Sequence, residues 1–115
     1  MYKYALLDPR PVPAATSAND AIFAAGPVLG IEVTVPALAS RCIGNIDPQH
    51  SGGDANSSAI EAALECLIPA EGTTLATVRA DLDSVGAMAV LRLRLESEEA
   101  QKSDKDFSQQ DPKKY

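Results

Sequence analysis

The sequence is poor in cysteine, histidine and aromatic residues. Its 115 residues include two cysteines, one histidine and no tryptophan, and aromatic residues make up 4% of the chain. Cys42 and Cys66 are too few and too far apart for a thiolate zinc site or for the disulfide framework of a small secreted domain. Because large aromatic side chains are scarce, the core has to be built from small aliphatic residues, of which alanine is the commonest.

A surplus of basic residues and a long uninterrupted apolar run are also missing. The net charge of −6 leaves no excess of cations to replace the counterions of a phosphate backbone, so we expect no binding to duplex nucleic acid. The most apolar stretch, residues 21–39, is interrupted by glycine, proline and glutamate residues, which makes it a poor membrane span. No apolar core of the signal-peptide type is found near the N-terminus. We therefore expect a cytoplasmic protein.

The chain length suits one domain with a single modest core. Short β-branched or apolar runs, separated by turn residues and by segments of helical pattern, alternate along the sequence. They predict strands at residues 2–7, 30–35, 42–47 and 73–78, with helices near 17–25, 36–42, 58–68 and 84–100. The period-two pattern of residues 90–96 also suits a strand, but its residues are good helix formers. The fold class predicted is α/β: a small single domain with a mainly parallel sheet flanked by helices.

The clearest predicted helix lies in the middle of the chain. Ser58 with Glu61 three residues later forms a capping-box pattern, and Pro69 marks the stop. The apolar residues that follow Ser58 recur at helical spacing and predict one buried face, made of Ile60, Ala63, Leu64, Leu67 and Ile68.

The C-terminal part of the chain differs in composition from the rest. Half of residues 92–115 are charged, and little apolar periodicity remains beyond residue 98. Such a segment cannot bury enough apolar surface to fold by itself. We therefore predict an α/β domain over residues 1–98 and a polar, charged tail or linker over residues 99–115.

Two aspartates follow the last predicted strand. Asp81 and Asp83 stand one residue apart between the strand ending near Val78 and the next helix. Carboxylate oxygens at such a junction suit Mg²⁺ or Mn²⁺, and the carboxyl ends of parallel strands are where α/β proteins bind ligands. The alternative is structural: Asp83 would cap the helix and Asp81 would be solvated in the turn.

The stretch from Thr77 to Leu91 resembles the first motif of the DHH phosphoesterases. In that family a strand ends in a His-x-x-x-Asp-x-Asp pattern, and the following helix begins with small residues. The resemblance places Asp81 and Asp83 on the two metal-binding aspartates, and Ser84-Val-Gly-Ala-Met matches the start of the helix. Thr77 stands where the family has a metal-binding histidine, so the resemblance departs from the motif there.

A second stretch, residues 44–64, is similar to the namesake Asp-His-His segment of the same family. The similarity places Asp47 on its aspartate and His50, the single histidine, in place of one of its histidines. The two segments occur in reverse order, as in a partial or permuted domain. Independently of the family, Ser51, Gly52 and Gly53 lie close to a helix start, where free backbone N–H groups can bind a phosphate. A flexible surface loop with an exposed histidine is the alternative.

These residues together predict a metal-dependent phosphoesterase. Loops after neighbouring parallel strands converge on one crevice, so Asp47, His50, Asp81 and Asp83 are expected to share one or two Mn²⁺ or Mg²⁺ ions. His50 would be a ligand or a proton donor, and Arg79 would bind a phosphate oxygen. The resemblance implies a small phosphate ester or anhydride as substrate, nucleotide-like or polyphosphate.

A non-enzymatic domain is the alternative function. Such a domain would bind a ligand or assemble with copies of itself. The alanine-rich helices leave a thin core, which favours a homo-oligomer or a partner chain that completes the fold.

Overall fold

The computed structural model describes residues 1–11, 16–48 and 58–109. Strands and helices alternate along the chain, as the sequence predicts. They are β1 (Lys3–Leu6), α1 (Thr16–Ala24), β2 (Val28–Ile31), α2 (Pro36–Ala39), β3 (Gly44–Ile46), α3 (Ala59–Glu65), β4 (Thr74–Thr77) and α4 (Leu82–Gln109). The four strands form one sheet in the order β1-β4-β2-β3. Every pair of neighbouring strands is parallel, which confirms the predicted α/β class.

Helices cover both faces of the sheet. Alternate residues of a strand point to opposite faces, so Leu75 of β4 belongs to one apolar cluster and Ala76 to the other. The first cluster includes buried residues of α3 and α4, and the second includes residues of α1 and α2. The chain crosses the sheet in one direction up to β3 and then returns to β4. Because crossovers are right-handed as a rule, this reversal moves the later helices to the other face.

Two details of the predicted elements are wrong. The strand predicted at residues 30–35 is observed at Val28–Ile31, because Glu32 has a φ of 53° and the chain leaves the sheet there. The helix predicted to bury Leu64 and Leu67 ends at Glu65. Its two fully buried residues are alanines, and Leu64 and Leu67 are exposed. The helix predicted from residue 84 is confirmed, and α4 continues beyond residue 98 to Gln109.

Helix α3 is held at both ends by side chains of α4. At its first turn, the carboxylate of Asp83 accepts hydrogen bonds from backbone N–H groups, as described below. At its last turn, Arg94 donates to the carbonyl oxygens of Ala63 and Cys66, both at 2.7 Å. A cation at the C-terminal carbonyls of a helix also interacts favourably with the helix dipole. The seven-residue helix α3 is therefore fixed against α4 by contacts at each end.

Gly86 allows α4 to pack closely on α3. A Cβ atom at this position would lie 2.5 Å from Cδ1 and 2.9 Å from Cγ1 of Ile60. Such distances are far inside van der Waals contact, so a larger residue would displace Ile60. Among the small residues at the start of α4, Gly86 has this packing role.

Replacing Gly86 with alanine should lower the free energy of unfolding by about 1–2 kcal/mol. The steric conflict with Ile60 outweighs the gain of about 1 kcal/mol in helix propensity. In an Ile60→Ala background the conflict is absent, and there Gly86→Ala should stabilise the protein by about 0.5–1 kcal/mol. Urea denaturation of the four proteins measures this double-mutant cycle. Equal effects of Gly86→Ala in the two backgrounds would contradict the packing role.

Among the described helices, none is long and apolar enough to cross a membrane.

Candidate functional site

Carboxylates follow three neighbouring strands at the same edge of the sheet. Glu32 follows β2, Asp47 follows β3, and Asp81 and Asp83 follow β4. Since the strands are parallel, the loops at their carboxyl ends converge. The negative charges of Asp83, Asp81 and Asp47 all act on Glu32 and contribute to its raised pKa. We refer to these four side chains as the carboxylate cluster.

The turn after β2 places Glu32 in the carboxylate cluster. The N–H of Glu32 donates to the carbonyl oxygen of Ile46 at 2.8 Å, and its positive φ then turns the chain away from β3. The side chain of Asn45 fixes the next residue. Its Oδ1 accepts from the N–H of Val33 at 3.1 Å, and its Nδ2 donates to the Val33 carbonyl at 2.9 Å. These two hydrogen bonds resemble those between paired strands, and they fix the backbone of Val33. They thereby hold the preceding residue, Glu32, at a positive φ that non-glycine residues rarely adopt.

Gly30 leaves the space that Asn45 needs. A Cβ atom on Gly30 would lie 2.7 Å from the Asn45 Oδ1 atom and 2.9 Å from a methyl group of Val33. A side chain at position 30 would therefore displace the amide that fixes the turn. The position of Glu32 depends on this glycine and this asparagine, neither of which is acidic.

Asp81 caps α4. Its Oδ1 accepts from the N–H of Ser84 at 2.8 Å, and the Ser84 Oγ accepts from the N–H of Asp81 at 3.0 Å. The buried Ser84 hydroxyl also donates to the carbonyl oxygen of Arg79 at 2.8 Å. The hydrogen bond from the Ser84 backbone, together with the nearby Arg79 charge, lowers the pKa of Asp81 despite its partial burial. Asp81 is therefore a helix cap that stays ionised.

Asp83 caps α3, although it belongs to the first turn of α4. One carboxylate oxygen accepts from the N–H of Ala59 at 2.9 Å and the other from the N–H of Ile60 at 3.2 Å. Ser58 completes the cap, since its Oγ accepts from the N–H of Glu61 at 3.1 Å, which is one of the two hydrogen bonds of the predicted capping box. The structural alternative placed Asp83 at the cap of α4 and Asp81 in solvent, and both of these assignments are wrong. Asp81 caps its own helix, and Asp83 caps the neighbouring one.

The carboxyl groups of Glu32 and Asp83 affect each other's pKa. Burial, the hydrogen bond with Asp83 and the surrounding negative charges raise the pKa of Glu32 from 4.5 to about 7. Burial acts to raise the pKa of Asp83 too, but the hydrogen bonds from Glu32, Ala59 and Ile60 outweigh it and lower that pKa. The protonated Glu32 is therefore the donor and the ionised Asp83 the acceptor.

Thr77 closes the turn after β4. Its buried hydroxyl donates to the carbonyl oxygen of Arg79 at 3.2 Å and accepts from the Arg79 N–H at 3.4 Å. The position that carries a histidine in the DHH motif is thus used here to shape the backbone. The Arg79 side chain is exposed, but its charge lowers the pKa of Asp81, so it lies near the carboxylate cluster. The predicted site residues His50, Ser51, Gly52 and Gly53 lie outside the described residues.

The chemistry of the carboxylate cluster suits a hard divalent cation. All four side chains offer carboxylate oxygens, the donors that Mg²⁺ and Mn²⁺ prefer. Within the described parts of the chain, however, no three histidine, cysteine, aspartate or glutamate side chains form a group placed to hold a metal ion. Both oxygens of Asp83 are engaged by α3. Asp83 is therefore less able to bind a cation than its place in the sequence suggests.

Glu32 belongs to the carboxylate cluster but is not among the site residues predicted from the sequence. The residue lies within a β-branched segment that reads as a continuous strand, which hides the turn. The negative charge of Glu32 was the one sequence signal for a turn at this position, because an acidic residue directly after a buried glycine and isoleucine is unusual inside a parallel strand.

The parallel sheet and the carboxylate cluster together define a small α/β domain that carries acidic residues at the carboxyl ends of its strands. Comparison of the chain with family models, with curated proteins and with solved structures gives no match.

Proposed function

We propose that this chain is a divalent-cation-dependent hydrolase of a small phosphate ester or anhydride, acting in the cytoplasm. The observation that carries the proposal is the carboxylate cluster, in which acidic residues from three strand ends lie close enough to influence one another. The resemblance of residues 77–91 to the DHH phosphoesterases supports the same chemistry. A nucleotide-like molecule or a polyphosphate is the proposed substrate.

The proposed cation is Mn²⁺ or Mg²⁺, held by oxygens of Glu32, Asp47 and Asp81. When bound, such an ion polarises a phosphoryl group and lowers the pKa of an attacking water. Asp83 is a positioning residue, since it fixes the start of α4 against α3 and accepts the hydrogen bond of Glu32. Arg79 is proposed to bind a phosphate oxygen as a flexible exposed cation.

The remaining predicted roles lie in the segment between β3 and α3. His50 stays a predicted metal ligand or proton donor to the leaving oxygen. The backbone N–H groups of Ser51, Gly52 and Gly53 stay the predicted contacts of the substrate phosphate.

Titration calorimetry of the metal-free protein with Mn²⁺ tests the proposal. We expect binding in the wild type and affinity at least about tenfold weaker in Asp81→Asn and in Asp47→Asn, because each loses a charged oxygen ligand. Asp20→Asn is the matched control, since the half-exposed side chain of Asp20 lies on α1 and pairs with Arg41. Circular dichroism verifies that each variant is folded. Mn²⁺-dependent hydrolysis of pyrophosphate and of bis-p-nitrophenyl phosphate then tests activity. An absence of Mn²⁺ binding in the wild type would overturn the proposal.

The non-enzymatic alternative is favoured by a different observation. Large apolar side chains are exposed along β1 and the adjacent side of α4, on a part of the molecule that the carboxylate cluster does not use. This surface suits assembly with another chain.

A further inference from the structure

We infer that the open edge of β1 and the adjacent side of α4 form a two-fold interface with a second copy of this chain. The apolar members of this β1–α4 surface are Tyr4, Leu6, Leu82, Val85, Ala89 and Leu93. The inference does not rest on cation binding, because none of these residues belongs to the carboxylate cluster.

The side chains of the β1–α4 surface are exposed and contiguous. Leu6 is 61% exposed and Leu82 is 89% exposed. On α4 the apolar residues at positions 82, 85, 89 and 93 follow each other at steps of three and four, so they share one side of the helix. Isolated exposed apolar residues are ordinary, but a continuous stripe beside a strand edge marks an interaction site.

Two adjoining depressions separate β1 from α4 along this stripe. One, of about 340 Å³, is lined by Tyr4, Val85, Met88, Ala89 and Arg92. The other, of about 260 Å³, extends it past Leu6 towards the start of α4. The linings of both are mainly apolar, which suits apolar side chains contributed from outside.

The backbone of β1 is also open on the outer side. Among the described strands its one neighbour is β4. The N–H groups of Lys3 and Leu7 donate to the carbonyls of Thr73 and Thr77 at 3.1 and 2.7 Å. Successive residues of a strand direct their backbone groups to opposite sides. The N–H and C=O groups of Tyr4 and Leu6 therefore point away from β4, as a template for another strand.

A second copy of β1 can form hydrogen bonds with all the outward N–H and C=O groups of Tyr4 and Leu6. If two β1 strands pair antiparallel about an axis at Ala5, Tyr4 of each copy lies opposite Leu6 of the other. Their outward N–H and C=O groups then form four hydrogen bonds. Tyr4 and Leu6 cover each other on the face that carries α4, and the apolar stripe on α4 meets the equivalent stripe.

The charges of β1 are compatible with this register. Lys3 is the only charged residue of the strand. With the axis at Ala5, the two Lys3 residues are four positions apart, or about 13 Å along the strand, so their repulsion is screened. Each Lys3 lies opposite Leu7 of the other copy, an uncharged residue, so this register places no two like charges opposite each other. The self-complementary hydrogen bonds and apolar contacts of this edge, with no opposed like charges, select a second copy as the occupant.

Sedimentation velocity of the full chain over a range of concentrations tests the inference. We expect a reversible dimer, and a dissociation constant raised roughly tenfold or more by Leu6→Glu or by Val85→Glu, because each places a charge in the apolar contact. Leu67→Glu is the matched control: Leu67 is 95% exposed but lies beyond α3, away from this surface. It should leave the dissociation constant unchanged. A wild type that stays monomeric up to about 0.5 mM, or a dimer that Leu6→Glu leaves intact, would overturn the inference.

Cysteine cross-linking tests the register separately. Ala5→Cys should form a disulfide-linked dimer on mild oxidation, because residues facing each other at the axis form a non-hydrogen-bonded pair with Cα atoms about 4.5 Å apart, a separation that a disulfide can span. Lys3→Cys is the control, since the two positions lie too far apart to be linked. Equal cross-linking of the two variants would contradict an axis at Ala5.

Discussion

Replacing Asp83 with alanine is expected to lower the free energy of unfolding by about 2–4 kcal/mol. The substitution removes the charged acceptor of the Ala59 and Ile60 N–H groups, and hydrogen bonds to charged groups contribute about 1.5–3 kcal/mol each. It also detaches α3 from α4 at one end, which a substitution of a solvated turn residue would not do. Urea denaturation at pH 7 in metal-free buffer measures the effect.

Two variants separate the capping role of Asp83 from a general effect of charge. Asp83→Asn keeps an acceptor oxygen of similar shape and should lose about half as much stability as Asp83→Ala. Asp81→Ala removes an ordinary helix cap and should cost about 1 kcal/mol. A loss below about 0.5 kcal/mol in Asp83→Ala would show that α3 does not depend on this carboxylate.

The stability of the metal-free protein should fall by about 1–3 kcal/mol as the pH rises from 5 to 8. Glu32 has a pKa of about 7 in the folded protein, against 4.5 ordinarily. Between these values the folded chain holds a proton that the unfolded chain has released, so raising the pH favours unfolding. Above pH 7 the ionised Glu32 faces the carboxylates of Asp83, Asp81 and Asp47, and its hydrogen bond to Asp83 is lost.

Glu32→Gln tests the assignment of this pH dependence. Glutamine keeps a neutral donor for Asp83 and cannot ionise, so the variant should lose most of the slope between pH 5 and 8 and be more stable than the wild type at pH 8. The lowered pKa values of Asp81 and Asp83 act in a separate window, below about pH 4, where acidification removes their contribution. An equal slope in the wild type and in Glu32→Gln would assign the pH dependence to other groups.

Most of the fold follows from local sequence signals. Proline and glycine residues separate the elements, β-branched runs predict the strands, and the alternation of strands and helices predicts a parallel sheet. The order of the strands does not follow from these signals, because pairing depends on contacts between distant residues. The exposed Leu64 and Leu67 show a related limit. Helical spacing predicted that both leucines belong to a buried face. The helix ends before Leu67, however, and its buried residues are Ala59 and Ala63.

The sequence predicts the location of the candidate site better than it predicts the residues that form it. Asp81 and Asp83 mark the carboxyl edge of β4 in the sequence, because two acidic residues follow an apolar run. Their roles as caps of two different helices depend on how α3 docks against α4, which sequence spacing does not reveal. Glu32 reaches the site through a turn held by a tertiary contact, the amide of Asn45. A pattern of β-branched residues carries no information about that contact.

The attachment of α3 to α4 determines when this domain can fold during its synthesis on the ribosome. Helix α3 is too short to be stable in isolation, and the side chains that hold its two ends, Asp83 and Arg94, come later in the chain. During synthesis the segment Ala59–Glu65 therefore stays without its supports until residue 94 has left the exit tunnel. The sheet also remains incomplete until β4 (Thr74–Thr77) has been synthesised, since β4 lies between β1 and β2. This domain consequently folds only after β4 and most of α4 have been synthesised, because they are the last of its described elements.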